Sequence, residues 1–261
     1  MQRDTAREAR ILQMMQHKVP LSVYETVTST NDLVREAAEQ GAPAGTVIAA
    51  MQQTAGRGRQ GRAFYSPEHT GLYLSMLLRP DAENIRRLTP MAAAAAARAV
   101  ETVSGEKTEI KWVNDLLLHG KKICGILAEA KFSKEAVPDY AVLGIGINLL
   151  APQGGFPAEI RDIAGAVFPQ GTDADAAFDR CAAALTDALL DEYAGIRERH
   201  YLAGYKARLC VIGREVTVCE NGTERPAFAL AADDDLRLLV RYEDDGSEQW
   251  RATGEIRIRL K

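Results

Sequence analysis

The stretch GRGRQGR (Gly56–Arg62) is the part of the chain best suited to binding an anion. It places three arginines among three glycines, directly after an apolar run that predicts a strand. Arginine presents a planar fork that matches phosphate and carboxylate oxygens, and glycine lets the backbone approach a ligand closely. No GK[ST] follows and no helix opens here, so the stretch is neither a Walker loop nor a dinucleotide fingerprint. A mobile clamp over an anion and a solvated basic loop both fit this composition.

The stretch KWVNDLLLHGKK (Lys111–Lys122) brings a carboxylate and a lysine together. A two-residue turn at His119-Gly120 predicts a hairpin in which Asp115 faces Cys124. Asp115 and Lys122 then share one face as diagonal neighbours, within reach of long side chains. The carboxylate could hold that lysine in place or bind a metal beside a phosphate. A plain surface salt bridge of nearly neutral energy is the alternative.

The sequence STND (Ser29–Asp32) predicts the start of a helix. Ser29 and Asp32 have the spacing of a capping box, and an apolar stripe follows in residues 33–38. A helix N-terminus also favours anions and polar groups, so a cap and a ligand contact are compatible here.

Two glycines, Gly144 and Gly146, interrupt the apolar strand GIGINL, which ends near Asn148. A glycine inside a strand indicates that another group approaches the backbone closely. Either a ligand or the alanine-rich helix predicted after Thr89-Pro90 could be that group. Taken alone, the motif favours the helix.

These motifs lie at strand ends and loops of an alternating chain. Apolar patterning predicts an amphipathic helix in residues 5–17 and strands in residues 21–28, 45–53, 71–80, 108–132 and 140–150. Thr89-Pro90 predicts the start of one helix, and Thr172 with Asp175 predicts the start of a long one. After about residue 207, four short strands separated by turns predict a small separate β-barrel.

Composition excludes several classes of protein. The 261 residues carry a formal charge of −4, which argues against general nucleic-acid binding because phosphate contacts need concentrated Lys and Arg. No apolar run of about 18 residues and no signal-peptide pattern occur, so we expect no membrane span. The four cysteines form no CxxC pair and no metal-ligand spacing. We interpret them as reduced thiols of a cytoplasmic protein.

Taken together, the motifs resemble those of the biotin protein ligase family. The matching blocks are STN (Ser29–Asn31), QTAGRGRQGR (Gln53–Arg62), KWVNDL (Lys111–Leu116), KKICGIL (Lys121–Leu127) and GIGIN (Gly144–Asn148). The IGREVTV and TGEIRIR stretches resemble the family's C-terminal domain. The resemblance implies an α/β (α+β) catalytic domain of class II synthetase-like type over residues 22–207, with a mixed sheet flanked by helices. It also implies an SH3-like β-barrel over residues 208–261, and residues 1–21 are left as a short helical extension.

The resemblance implies a two-step ligase reaction. The carboxylate of biotin attacks the α-phosphate of ATP, which gives biotinyl-5′-adenylate and pyrophosphate. A lysine of a biotin carboxyl carrier protein then displaces AMP and forms an amide. Positive charge is needed where the transition state gains negative charge, and Mg²⁺, held mainly through the ATP phosphates, would add to it. Closure of the glycine-rich loop would keep water from the anhydride.

Residue roles follow from the same resemblance. The catalytic roles fall to Lys122, Arg59 and Asp115. The implied biotin contacts are Ser29, Thr30, Asn31, Gln53, Arg57, Gly58, Arg59, Lys122, Gly144 and Gly146. The implied ATP or adenylate contacts are Arg57, Arg59, Arg62, Phe64, Lys111, Asn114, Asp115, Lys122 and Asn148.

The chain departs from the family pattern at a few places. Val113 stands where the family usually has proline, and Phe64 stands where many members have tryptophan. The stretch ALAADDDLRLL lacks glycines that are usual in the C-terminal domain. About twenty residues precede the catalytic domain, so we expect no winged-helix DNA-binding domain and no repressor role.

The expected partner is a biotin carboxyl carrier protein or carboxylase domain, without DNA or membrane, and the expected state is a monomer or homodimer. Three other functions fit parts of the sequence: a lipoate or octanoate ligase, a non-catalytic biotin sensor, and a Gly/Arg RNA binder. The GRGRQGR loop disfavours the first, the intact Lys122 and Asp115 disfavour the second, and the acidic composition disfavours the third.

Overall fold

The computed structural model describes residues 2–133, 137–220, 223–252 and 255–258. Its helices are α1 (Thr5–Met14), α2 (Thr30–Glu39), α3 (Leu88–Ser104), α4 (Ala174–Ala194) and α5 (Tyr201–Arg208). Its strands are β1 (Leu21–Val27), β2 (Val47–Gln53), β3 (Gly71–Leu78), β4 (Glu109–Lys111), β5 (Asp115–Leu118), β6 (Lys121–Phe132), β7 (Pro138–Asn148), β8 (Glu215–Glu220), β9 (Thr223–Ala232), β10 (Leu238–Tyr242), β11 (Glu248–Arg251) and β12 (Glu255–Ile258).

The first seven strands form one mixed sheet in the order β1-β2-β3-β7-β6-β5-β4. Only β1 and β2 run parallel, and the other neighbours are antiparallel. Helices α3 and α4 cover one face through the main hydrophobic core, and α2 covers part of the other face. The predicted mixed sheet flanked by helices is confirmed. The region predicted as two strands around His119-Gly120 contains a third, β4, because the chain also turns at residues 112–114.

The alanine-rich helix α3 packs tightly on the sheet because residues 92–97 carry only a methyl group and all lie buried. It ends at Gly105, which takes the left-handed conformation with φ 75°. The predicted start at Thr89-Pro90 is too late. A 3₁₀ turn at Ala82–Arg87 leads directly into the helix, so Thr89 and Pro90 lie in the first turn.

Helix α4 begins one residue later than the predicted cap. Asp173, not Thr172, is the N-cap, and its carboxylate accepts the backbone N–H groups of Asp175 and Ala176. A carboxylate is a strong cap because it also meets the positive end of the helix dipole. The long helix predicted through residue 200 ends earlier, at Ala194, and α5 follows as a separate helix that was not predicted.

The N-terminal extension covers the outer edge of β1. The backbone N–H of Asp4 donates to the carbonyl of Val23 over 2.8 Å, and the N–H of Val23 donates to the Glu8 carboxylate over 2.9 Å. Buried Arg7 then joins α1 to α4 through an ion pair of 2.7 Å with Asp175. The exposed edge of the sheet is thereby blunted.

The C-terminal strands form a second, antiparallel sheet in the order β11-β10-β9-β8-β12. Its buried face is made of small aliphatic residues and Tyr242, and it joins Trp112 and Leu117 of the first sheet. Five strands form where four were predicted, because the last predicted strand is divided into β11 and β12. Within the described residues, β11 and β12 are not paired, so the sheet is not a closed barrel. Thr253, Gly254 and Arg259 of the TGEIRIR stretch lie outside those residues.

In the described ranges, no helix is both long and apolar enough to span a membrane.

Candidate active site

The glycine- and arginine-rich loop after β2 is a folded hairpin. The N–H of Gly58 donates to the carbonyl of Arg62 over 2.7 Å, and Arg57 forms a bridge with Ala63. The turn passes through Gln60 and Gly61, which have φ of 57° and 73°. This compact geometry differs from an unstructured basic loop, because backbone hydrogen bonds and positive φ values fix the turn. The side chains of the three arginines therefore leave the hairpin at defined places.

A pocket lies beneath this hairpin, between the start of α2 and the strands β6 and β7. Its empty volume, which includes space open to solvent, is about 480 Å³. Its lining includes the predicted biotin contacts Ser29, Thr30, Asn31, Gln53, Arg57, Gly58, Arg59, Lys122, Gly144 and Gly146. We call it the inner pocket. It brings together residues from five separate sequence blocks.

A hydrogen-bonded network fixes the polar end of the inner pocket. The N–H of Thr30 donates to Gln53 Oε1 over 2.9 Å, and Gln53 Nε2 donates to Ser66. The buried Ser75 hydroxyl lies 2.7 Å from Thr30 Oγ1 and 2.6 Å from Asn31 Oδ1. Since a hydroxyl has a single proton and Asn31 Oδ1 can only accept, Ser75 donates to Asn31 and accepts from the Thr30 hydroxyl. The network leaves these side chains rigid.

Ser29 is the N-cap residue of α2, as predicted, but its side chain makes no capping hydrogen bond. The predicted capping box is therefore wrong in its bonding, although its position is right. Asp32 is the reason, because its carboxylate accepts from Arg35 and lies near Arg57 rather than turning back to the helix start. The Ser29 hydroxyl is 1% exposed and lines the inner pocket.

The strand glycines make room for Asn31 and Phe64. A Cβ at Gly144 would collide with the amide of Asn31, and one at Gly146 would lie 2.5 Å from the Phe64 ring. Gly125 on β6 also lies under that ring, at 2.9 Å. The alternative of contact with the alanine-rich helix is wrong. Helix α3 packs on the opposite face, where Ile145 and its alternate neighbours point.

Asp115 and Lys122 form the expected pair, with 2.7 Å between Lys122 Nζ and Asp115 Oδ1. The predicted register holds next to the turn, where Leu118 pairs with Lys121 and Leu117 with Lys122, but Asp115 faces Gly125 and not Cys124. A β-bulge adds one residue, Ile123, between the two halves of the pairing. As a result Lys122 and Gly125 both face the site.

The backbone of Lys122 is also held in place. Its N–H donates to the carbonyl of Ile163 over 2.7 Å, and its carbonyl accepts from Gly165 over 2.8 Å. Cys124, two residues further, is fully buried on the other face. Burial raises the pKa of its thiol, so it stays neutral and takes no part in the site chemistry.

A second, more cationic chamber adjoins the inner pocket on the far side of Arg59. Its lining contains the cations Arg59, Arg62, Lys111 and Lys122, the single carboxylate of Asp115, and the residues Asn114 and Phe64. Arg59 Nη1 donates to Asn114 Oδ1 over 2.8 Å. The turn that carries Asn114 has a cis peptide bond between Trp112 and Val113. We call the space lined by these four cations the cationic chamber.

Asn148 lies in a third space behind Phe64. Its lining is mostly apolar and includes Tyr65, Phe156, Ile160 and Ile163. Asn148 Nδ2 donates to the carbonyl of Gly165 over 3.0 Å. Asn148 is absent from the linings of the inner pocket and the cationic chamber, while Phe64 and Lys122 line all three spaces.

The sequence interpretation missed several residues at the polar end of the inner pocket. Glu129 Oε2 accepts from Arg57 over 2.6 Å and from Asn31 over 2.8 Å, and Arg35 lies 3.4 Å away. Alternation along β6 could have indicated Glu129, because it shares a face with Gly125. Ser75 had a weaker signal, as the one polar residue of an otherwise apolar strand β3.

The sequence that builds this site is similar to sequences of known proteins. Residues 23–148 match the model of the Biotin/lipoate A/B protein ligase family, a range that contains the site residues from Ser29 to Asn148. The chain is 31% identical over 230 residues to the biotin–[acetyl-CoA-carboxylase] ligase of Mycobacterium tuberculosis, with 84% of this chain and 82% of that protein covered. The chain belongs to the biotin protein ligase family.

Other members of the family match over different lengths. The bifunctional ligase/repressor BirA of Bacillus subtilis is 40% identical over 146 residues, which cover 55% of this chain and 45% of that protein. This chain thus spans about half the length of some curated relatives that it matches. A solved biotin protein ligase of Aquifex aeolicus, in complex with biotin and ATP, has a TM-score of 0.73 at 24% identity. The superposition covers 94% of this chain and 100% of that one, and it shows a shared fold.

Proposed function

We propose that the protein attaches biotin to a lysine of a carrier protein in an ATP-dependent reaction through biotinyl-5′-adenylate. The observation that carries the proposal is the position of Lys122, which lies at the junction of the inner pocket and the cationic chamber. A carboxylate from the first space and a phosphate from the second would meet at its ammonium group. Membership of the biotin protein ligase family supports the same reaction.

The cationic chamber would hold the polyphosphate of ATP. Arg59, Arg62, Lys111 and Lys122 offset the repulsion between a carboxylate nucleophile and the α-phosphate. Asp115 holds Lys122 in position through the 2.7 Å ion pair. Mg²⁺ would add positive charge through the phosphates. No cluster of three His, Cys, Asp or Glu side chains suitable for a metal occurs in the described ranges.

The polar end of the inner pocket favours biotin over lipoate. Arg57 Nε is buried and has no hydrogen-bond partner among the described residues, and the nearby Ser29 hydroxyl is not used by its helix. A ureido group offers a carbonyl and two N–H groups to such partners. A dithiolane ring offers none, and a buried polar group left unpaired costs about 1–3 kcal/mol. We therefore assign the ureido ring to this end and the carboxylate to the Lys122 end.

The space behind Phe64 is the proposed site of the adenine base. It combines an aromatic wall and aliphatic side chains with the amide of Asn148, a donor and acceptor suited to a base edge. Phe64 would stack on the base in place of the tryptophan found in many members. In the loop after β7, Phe156 and Ile160 would cover its other face.

The domain limits belong to the same proposal: an extension at residues 1–21, a catalytic domain at 22–207 and an SH3-like domain at 208–261. The strand order β11-β10-β9-β8-β12 and the single buried face support an SH3-like topology. We further propose a biotin carboxyl carrier protein as the acceptor, and the cytoplasm as the location.

Isothermal titration with biotin, with and without ATP and Mg²⁺, tests the function when combined with mass spectrometry of the bound product. We expect tight retention of biotinyl-adenylate with release of pyrophosphate, and then transfer to a carrier-protein lysine. Biotin binding without pyrophosphate release would identify a sensor and reject the ligase. Lipoate turnover in the absence of biotin turnover would assign the pocket to the related acyl ligases.

A further inference from the structure

Glu129 is an acidic residue beside the polar end of the inner pocket, where it contacts the pocket residues Arg57 and Asn31. It lies on β6, two strand positions beyond Leu127, and its carboxylate is the common acceptor for Arg57 and Asn31. The strongest contact is the ion pair with Arg57, at 2.6 Å between Oε2 and Nη2. The same Nη2 atom lies 3.2 Å from Asp32 at the start of α2. Three elements therefore meet at one guanidinium: the glycine-rich loop, α2 and β6.

The charges at this end of the pocket are balanced. Asp32 and Glu129 are matched by Arg35 and Arg57, with ion pairs of 2.6–3.4 Å among them. Arg57 consequently contributes little net positive charge to a bound anion. Arg59, two residues along the same loop, instead contacts the neutral amide of Asn114 and lines the cationic chamber. The two arginines therefore have different tasks.

We infer that Glu129 is a positioning residue that, together with Asp32, holds Arg57 across the end of the inner pocket and keeps the glycine-rich loop closed over biotin. The loop is tied at two points, by Arg57 to Glu129 and by Arg59 to Asn114. Backbone hydrogen bonds shape the hairpin internally, whereas these side-chain contacts join it to β6 and to the turn at Asn114. The anchor at Glu129 therefore controls how often the loop opens and how fast bound biotin leaves. This inference rests on the proposed function for its biotin readout only.

The first test is the rate of biotin dissociation from the Glu129→Gln variant. Glutamine keeps an acceptor for Asn31 but removes the charge that holds Arg57. The two side chains are 35% and 33% exposed, and an ion pair of that exposure contributes about 0.4–1 kcal/mol, so we expect dissociation about twofold to fivefold faster. The KM for ATP should not change, because Arg59 and Lys122 are untouched. Asp32→Asn should act in the same direction if Glu129→Gln fails to fold.

Glu39→Gln is the matched control. Its carboxylate pairs over 2.9 Å with Lys131, which lies on the same strand as Glu129 but away from the loop. This variant loses an equal negative charge and an ion pair with a residue of β6. We expect its biotin dissociation rate to stay at the wild-type value. Equal acceleration in both variants would mean that net charge, and not the Arg57 contact, controls the rate, and would overturn the inference.

A double-mutant cycle separates positioning from general destabilisation. If Glu129 acts through Arg57, Glu129→Gln should change nothing further in an Arg57→Gln background. Additive effects of the two changes would overturn the inference.

Hydrogen exchange of the loop amides in the ligand-free protein gives a readout that does not depend on the reaction. We expect Glu129→Gln to speed exchange in residues 56–62 by about twofold to fivefold, with no change in α3. Unchanged exchange would overturn the inference. Absence of biotin binding in the wild type would reject the proposed function alone. The hydrogen-exchange rates would still test whether Glu129 holds the loop.

Discussion

Lys122 owes its position to contacts on every side. The ammonium is paired with Asp115, the stem lies against Gly125, and the backbone is bonded to residues 163 and 165. A lysine side chain otherwise carries considerable rotamer entropy. In the proposed reaction, holding it in place before substrate arrives would put positive charge where the carboxylate and the α-phosphate approach each other, which is the condition for electrostatic catalysis.

Replacement of Lys122 by alanine should slow adenylate formation by about 10²-fold or more, since a fixed charge at the reacting centre is lost. Pyrophosphate release in a single turnover measures this step. Lys121→Ala is the control, because it removes an identical charge at the neighbouring residue. The Lys121 side chain is exposed and donates to the Asp162 carbonyl. Similar losses in both variants would contradict the assigned role.

Among the secondary-structure elements, the strands β6 and β7 determine the shape of the pocket because three of their residues are glycines without side chains. Gly125 and Gly146 leave a shallow floor on which the Phe64 ring lies, and Gly144 leaves room for Asn31. The ring also meets Tyr73 edge to face, with 6.4 Å between the centroids. The aromatic wall shared by the three spaces is therefore positioned by two adjacent strands and not by the flexible loop.

Gly146→Ala should displace Phe64, because a Cβ there would lie 2.5 Å from the ring. We expect a loss of about 1–3 kcal/mol in unfolding free energy, together with weaker binding of both biotin and ATP. Urea denaturation and titration calorimetry measure the two effects. Gly204→Ala is the control, since its nearest atom in α5 lies at 3.5 Å. That substitution should be neutral or stabilising by about 1 kcal/mol, and equal destabilisation would contradict the packing argument.

Over the whole molecule, the C-terminal sheet supports the cationic chamber from outside. The indole N–H of Trp112 donates to the buried carbonyl of Leu236 over 2.8 Å, and Tyr205 donates to the carbonyl of Val113 over 3.2 Å. Trp112 stands between Lys111 and Asn114, which line the chamber. The second sheet and α5 therefore fix the turn that faces the cationic chamber.

Trp112→Phe keeps the aromatic packing but leaves the Leu236 carbonyl without its donor. We expect a loss of about 1–2 kcal/mol in unfolding free energy and a KM for ATP about fivefold higher, with the biotin affinity unchanged. Steady-state kinetics and calorimetry separate the two substrates. Trp250→Phe, at an exposed position on β11, is the control. An equal change in biotin affinity would contradict a role confined to the chamber.

Acid should weaken the contact between α3 and α5. Arg208 bonds Glu101 over 2.6 Å and, with help from Thr108, holds the pKa of Glu101 below its usual 4.5 despite partial burial. A lowered folded pKa stabilises the fold above about pH 4.5, and this contribution is lost as the pH falls through the folded value.

The variant Glu101→Gln should therefore unfold with about 0.5–1 kcal/mol less free energy than the wild type at pH 7. The difference should be smaller at pH 3 than at pH 7, because the wild-type carboxylate gains a proton as the pH falls through its lowered folded pKa. Urea denaturation at both pH values measures it. An equal difference in unfolding free energy at both pH values would show that the Glu101–Arg208 ion pair does not cause the loss of stability.

The sequence by itself determined most of the elements and the chemistry available at the site. Periodicity found the strands and helices of the main sheet because burial alternates along a strand and repeats along a helix. Arginine, lysine and carboxylate types set which charges the site can offer. The ends of α3 and α4 and the hairpin register were less predictable, because a 3₁₀ turn, a competing cap and a bulge each cost little energy.

The tertiary structure decided which of these residues meet. Arg57 and Glu129 are separated by 72 positions, and only the order β7-β6 next to α2 brings them together. The tertiary structure also places Phe64 and Asn31 in the room left by the strand glycines, and its β-bulge turns Lys122 toward the pocket. Side-chain identity is local to the sequence, whereas a contact depends on pairing and packing across the sheet, where small free-energy differences between registers select one arrangement.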